Sequence, residues 1–388
     1  MTLTATHCKT ATCTTVARTF GGACFEVRAP LRIPFPINKT MKYNCTRTFA
    51  ALLVAALAMT GAATATEEMI EIDMKPVGDI NNTPDTSTGY GRVTYEYQIG
   101  TYEVTNKQYA AFLNTVAKTD THGLYNENMG SELLGGITRS GVDNNYVYTV
   151  KSDMASKPVN YVSFWDAARF VNWLTNGQGG AETTEYGVYN LTTLGITNNS
   201  ILRDFTGLDG LVYLLPSMDE WYKAAYYNAS TGGYQTYPMT DTPKQNDTAS
   251  FRTGEDSNRT NGNLMDVNAY NAVSGASSPY GTHQQGGNLF EWADTIPVGE
   301  ISGTAETGDP AHTDTRSVLG GSYNYDIGAL ASSGQRYANV PADEYAFIGF
   351  RVAALYVTAV PEPGMVAGAA GLAALVFGVW GRRGRRIL

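Results

Sequence analysis

Three segments of this chain place a helix-starting cap ahead of a helical spacing of apolar residues, and the long stretches between them show no such pattern. The first follows Thr105, with Gln108 three residues on as a capping box, and brings Tyr109, Phe112, Leu113 and Val116 to one face. The second follows Ser163; Ala167, Phe170, Val171 and Leu174 form its stripe, and Asn176-Gly177 stops it. The third follows Pro216-Ser217, with Glu220 completing the box and Trp221, Ala224, Ala225 and Tyr227 behind it. Short alternating runs read as strands: Tyr95 to Gly100, Tyr146 to Val150, Tyr213 to Leu215, Arg316 to Gly320 and Phe347 to Leu355. Residues 178–212, 228–262 and 296–315 are rich in Thr, Asn, Gly, Asp and Ser and read as long loops. No repeat of solenoid length is visible. The pattern predicts an α+β domain with low regular secondary structure.

Those loops cannot be stapled covalently. The four cysteines, Cys8, Cys13, Cys24 and Cys45, all precede residue 66, so the body of the chain has no disulfide, thiolate metal site or cysteine nucleophile. A packed core must therefore do the work, and Trp165, Trp173 and Trp221 are expected in it. Residues 66–360 carry 34 acidic against 16 basic side chains. Such a surface disfavours nucleic acid, whose phosphates need a basic face, and suits cations or neutral polar ligands.

The two ends read as addresses. Met41-Lys42 opens a second start, followed by Arg47, the apolar run Phe49 to Met59 and Ala63-Thr64-Ala65, the order of a secretory signal peptide over 41–65. Residues 1–40 then read as an upstream miscalled start. At the other end, Val360-Pro361-Glu362-Pro363 precedes an uncharged run, 364–380, and then Arg382, Arg383, Arg385 and Arg386. The run is just long enough for a transmembrane helix, with the arginines cytoplasmic. Motif, span and basic stop over 360–388 resemble the PEP-CTERM sorting signal of Gram-negative bacteria. That resemblance implies an exosortase as processing partner, export to the envelope, surface or matrix, and membrane attachment through the helix before processing.

Six blocks fall in one order between the ends: Ile99-Gly-Thr-Tyr-Glu-Val-Thr-Asn-Lys-Gln-Tyr109, Pro158-Val-Asn-Tyr-Val-Ser-Phe-Trp-Asp-Ala-Ala168, Leu214-Leu-Pro-Ser-Met-Asp-Glu-Trp-Tyr-Lys-Ala-Ala225, Gly287-Asn-Leu-Phe-Glu-Trp292, Leu319-Gly-Gly-Ser-Tyr323 and Gly349-Phe-Arg-Val-Ala353. Together they make residues 66–359 resemble the formylglycine-generating enzyme family, also called the sulfatase-modifying factor domain. The resemblance implies one domain with a fold akin to C-type lectins. It implies calcium ligands at Gln284, Gly287, Leu289 and Glu291, the Gly and Leu through backbone oxygens, and a second, weaker set at Asn263, Leu264 and Asp266. One carboxylate with turn carbonyls suits a hard cation; pairing of Glu291 with an arginine such as Arg351 is the alternative reading.

The family's reaction, oxidation of a substrate cysteine to formylglycine, implies two active-site cysteines holding copper. Their positions, two residues past the Tyr of the fifth block and five further on, carry Tyr325 and Leu330. Neither offers the soft thiolate that Cu(I) needs, so copper is not expected. Ser322 matches a family active-site position and, with Tyr325, would line the ligand groove. His122, His283 and His312 lack metal-ligand spacing, and no phosphate loop or nucleophile elbow is present. The expectation is an exported non-catalytic binding or structural module, acting in the cell envelope or exopolysaccharide matrix on a glycan or an exported protein. The alternatives are a formylglycine-generating type of oxidase and an envelope maturation factor.

Overall fold

The structure, a computed structural model, describes residues 69–239, 242–243, 249–251, 264–297, 314–334 and 337–358. All of them belong to one compact unit. Five α-helices are described: α1 Asn106–Val116, α2 Asn128–Ser131, α3 Phe164–Thr175, α4 Thr193–Thr197 and α5 Met218–Tyr226. The three long ones begin where the sequence places them. Thr105, Ser163 and Ser217 each accept from the backbone N–H three residues on, and Gln108, Asp166 and Glu220 each reach back to the cap. Every such box satisfies two donors that a helix start leaves orphaned, a contribution of about 1 kcal/mol per cap. Asn176 closes α3, and the left-handed φ of 74° at Gly177 turns the chain away.

Twelve short strands complete the described fold: β1 Met74–Val77, β2 Tyr97–Gly100, β3 Ile137–Ser140, β4 Val147–Val150, β5 Gly210–Leu214, β6 Tyr227–Asn228, β7 Gly233–Tyr234, β8 Phe290–Trp292, β9 Arg316–Leu319, β10 Tyr337–Asn339, β11 Ile348–Gly349 and β12 Ala353–Val357. One sheet runs β1-β2-β12-β5 and a second runs β10-β9-β8-β11; β3-β4 and β6-β7 are hairpins. The single strand expected over Phe347 to Leu355 is divided. Ile348–Gly349 pairs in parallel with β8 in the second sheet, while Ala353–Val357 pairs with β2 and β5 in the first. Phe350, Arg351 and Val352 carry the chain from one sheet to the other, all fully buried.

The core forms where the helices meet the first sheet. α3 lies against β5, and α1 lies against β4 and α3. Phe112 packs on Phe170 at 5.4 Å and on Trp173 at 5.2 Å, and Phe170 meets Phe350 edge-on at 5.3 Å. Such tilted and edge-to-face pairs use the ring quadrupoles as well as the buried area. Trp165, Trp173 and Trp221 are all buried, as expected. The loop 178–212 is not featureless. Asn172 Nδ2 donates to Thr184 O at 2.8 Å and Tyr189 O at 2.7 Å, anchoring it to α3. Arg203 reaches from it to Glu220 of α5 at 2.7 and 2.9 Å and also pairs with Asp294. Burial alone would raise the Glu220 carboxyl; the charge and hydrogen bonds of Arg203, with the hydrogen bonds from Ser217 and Tyr95, together hold it below its ordinary value.

The expectation of a membrane-spanning helix is corrected. Among the described residues no helix is long and apolar enough to cross a membrane. The longest, α3, has 12 residues, about 18 Å at ~1.5 Å per residue against a hydrocarbon core of about 30 Å. The fold class is an α+β domain without a spanning helix among those residues, and membrane attachment is withdrawn with it. Residues 364–380, where the span was expected, lie outside the described residues, as do 1–65 and the other tail positions.

Candidate functional site

The fourth, fifth and sixth sequence blocks come together in the second sheet. Glu291 sits on β8 between Leu319 of β9 and Gly349 of β11. The turn that delivers it is tightly wound: Gln284, Gly287 and Asn288 all have left-handed φ values, of 54°, 86° and 59°. Gly287 is required, because a Cβ there would lie 2.2 Å from the Ser250 carbonyl oxygen. Asn288 locks the turn from inside, accepting from Met265 N at 3.0 Å and donating to Glu103 at 2.7 Å.

Glu291 faces Arg351. The guanidinium donates through Nη2 to Oε1 at 2.6 Å and through Nε to Oε2 at 2.5 Å, and Trp221 Nε1 donates to Oε2 at 2.6 Å. Both side chains are wholly buried. Arg351 also donates to Gly100 O at 2.9 Å and His283 O at 3.0 Å, which uses its donor fork around the full arc. A second carboxylate closes the cluster. Glu103 accepts from Leu289 N at 3.1 Å as well as from Asn288. Burial, then the charge of Glu291, push its carboxyl well above the usual carboxylate range, with Arg351 opposing.

The donors implied for calcium do not fit that ion as they stand. Glu291 is committed to a guanidinium, and Gln284 turns its amide nitrogen to Asp266 O at 2.6 Å. Its Oε1 is buried without a hydrogen-bond partner among the described residues. At the weaker set, the Lys157 ammonium donates to Leu264 O at 2.6 Å and stands 3.7 Å from Asp266; Asn263 lies outside the described residues. The Glu291 carboxylate thus faces the Arg351 guanidinium, and Leu264 O and Asp266 face the Lys157 ammonium, so the charged oxygens of both sets are already neutralised by the chain itself. Among the described residues no group of three or more His, Cys, Asp or Glu side chains is gathered for a metal. Adding millimolar calcium, or a chelator, is therefore expected to leave the Tm within about 1 °C; a calcium-dependent rise of several degrees, the size a bound ligand confers, would overturn this.

Of the two positions that the family resemblance implies for copper-binding cysteines, Leu330 is in the core and Tyr325 is partly buried against it. Leu330 ends a 3-10 turn, Ile327–Leu330, is fully buried, and packs with Met239, Ala249 and Phe251. Its carbonyl accepts from Tyr226 OH at 3.0 Å. Tyr325 lays its ring edge-on against Phe290 at 4.7 Å and Tyr337 at 5.5 Å. Ser322, expected to line a groove, is fully buried and hydrogen-bonded to Asn324 Oδ1 at 2.6 Å. An aliphatic plug and an aromatic stack thus stand where soft ligands would be needed, and these residues do not fit copper.

Sequence reasoning missed Glu103, although it lies in the first block. A carboxylate between Tyr102 and Val104 looks like a surface residue; only its partners, far along the chain, make it internal. It also missed the pairing of Asp166 with Glu344, described below.

With the fold and this cluster in view, the family is plain: the chain belongs to the sulfatase-modifying factor enzyme 1-like domain family, which matches residues 60–355. Among solved structures it is similar to Treponema denticola variable protein 1, at 18% identity and a TM-score of 0.45, covering 74% of this chain and 96% of that one. It is similar to CarF at 20% identity and a TM-score of 0.44, covering 73% and 98% of the two chains. It is likewise similar to PvdO from Pseudomonas aeruginosa at 18% identity and a TM-score of 0.38, covering 73% and 92%. No curated protein matches the sequence.

Proposed function

We propose that this chain is an exported, non-catalytic binding module of the sulfatase-modifying factor fold, acting on a glycan of the cell envelope or exopolysaccharide matrix. One observation carries the non-catalytic half: Leu330 is part of a packed apolar cluster at a position where the family's oxidases need a thiolate. A leucine in an apolar cluster supports a domain of this fold used without the metal, since a fold does not fix a function. Export is supported by the signal-peptide pattern of residues 41–65 and by the resemblance of residues 360–388 to a sorting signal. The acidic balance of residues 66–360 supports a neutral polar ligand over a polyanion.

The test takes the purified protein in two assays. Incubated with a cysteine-containing peptide, copper and oxygen, it is expected to yield no formylglycine by mass spectrometry. Passed over immobilised exopolysaccharide of its host, it is expected to be retained saturably. Formylglycine that depends on the protein would overturn the non-catalytic reading, and lack of retention would overturn the glycan reading.

A further inference from the structure

A cleft of ≈ 500 Å³ opens between the end of α3 and the two arms of the loop that follows it, lined by Asn176, Glu182, Tyr186, Asn190, Asp204 and Thr206 among others. We infer that this cleft is a binding site for an uncharged oligosaccharide, with the sugar ring stacked on Tyr186 and its hydroxyls on the surrounding carboxylates and amides. This rests on the glycan-binding reading above and names where and what the module binds.

Tyr186 is the first observation. Its side chain is 68% exposed, whereas Tyr189 three residues on is wholly buried. An aromatic face left in water, beside a polar rim, offers a pyranose its apolar C–H side while the rim takes the hydroxyls. The second observation is that the exposed ring stands on a fixed backbone. Asn176 Nδ2 donates to Tyr186 O at 2.6 Å and to Thr183 O at 2.8 Å. At Gly187 a Cβ would lie 2.5 Å from Asn172 Oδ1, so the chain after Tyr186 is pressed against α3. The opposite wall is tied to it: Asp204 N donates to Val188 O at 2.8 Å, and Tyr189 bridges to Arg203. Asp204 Oδ1 in turn accepts from Thr206 N at 2.9 Å, which aims the carboxylate. A platform and acceptors held this way lose little entropy on binding.

The third observation is charge. The lining holds two carboxylates, Glu182 and Asp204, and no lysine, arginine or histidine. Carboxylates accept from sugar hydroxyls, and the same two charges repel a uronate or a sulfated sugar. The volume suits two or three sugar rings, within the usual range for small-ligand clefts.

The full chain is titrated calorimetrically with cellotetraose, chitotetraose and tetragalacturonate. A neutral tetrasaccharide is expected to bind and tetragalacturonate is not. Tyr186→Ala is expected to weaken binding about tenfold or more, and Tyr186→Trp to retain it. Because the ring is exposed, neither variant should change the Tm, which serves as the folding control. Neutral-sugar binding that Tyr186→Ala leaves intact would overturn this site and leave the glycan-binding reading standing. Binding of tetragalacturonate in preference to the neutral sugars would overturn the assigned ligand class. No binding of any of the three, with retention on the host polysaccharide intact, would overturn the cleft alone; loss of both would overturn the glycan reading itself.

Discussion

Arg351→Met is expected to lower the Tm by about 10 °C, the equivalent of roughly 3–5 kcal/mol for a domain of this size. The side chain is fully buried and its guanidinium neutralises Glu291 across two hydrogen bonds of 2.5 and 2.6 Å. Removing it strands that carboxylate beside Glu103, whose carboxyl burial and Glu291 already push up. It also strands the Gly100 and His283 carbonyls, which accept from the same fork. A buried ion pair adds little over a well-packed apolar pair, but half of one is costly. The double variant Arg351→Met with Glu291→Leu is accordingly expected to recover part of the loss. Thermal unfolding followed by circular dichroism decides it: a shift under about 2 °C for the single variant would show that the guanidinium is not holding the two sheets together.

The second large effect is on pH dependence. Asp166 at the start of α3 and Glu344 in the loop before β11 hydrogen-bond carboxyl to carboxyl, so one proton serves two acids. Burial, then the charge of Asp166, push Glu344 up to about 8 from an ordinary 4.5. Around the pair, Asn126 donates to Glu344, Ser163 donates to Asp166, Arg169 attracts Asp166, and Asp120 adds a further negative charge. The folded state keeps a proton that the unfolded chain gives up near 4.5. The stability this confers is complete below about pH 4.5 and is lost as pH rises through about 8. The native protein is expected to melt at a higher temperature near pH 5 than near pH 8.5. Glu344→Gln supplies a permanent donor, flattens that slope and gains about 1–2 kcal/mol at the alkaline end, after discounting for the half-exposed side chain. An unchanged slope in the variant would place the pH dependence elsewhere.

What could be read from the sequence follows the range of the interaction concerned. The helices after Thr105, Ser163 and Ser217 were legible because a cap and a 3.6-residue stripe are local, and the structure starts all three there. The tryptophans were legible as core for a similar reason. The strands were legible in part: the runs at 95–100, 146–150 and 316–320 hold β2, β4 and β9, but β6 and β7 are two residues long and β8 and β10 three, too short to show alternation. The division of residues 347–355 between two sheets depends on partners at residues 290–291, 98–99 and 210–214. Nothing within the run signals it. At Glu291 the sequence left calcium and arginine both open, and the guanidinium that takes the carboxylate lies sixty positions further along the chain. Arg203 and Asp294 carry no local sign of burial; folding turns them inward, because each finds the other.

The order of the first sheet bears on how the domain comes into being. β12, its last strand along the chain, lies between β2 and β5. A polypeptide emerging amino end first, from a ribosome or a translocation channel, holds β2 and β5 ready with a slot of one strand's width between them. Until residue 357 has cleared the exit, both flanks of that slot offer unpaired amides to any neighbour, and the contacts that fill it span most of the domain's length. Closure is thus a late, slow and all-or-none event, and molecules cut short of it would carry an open seam prone to strand exchange.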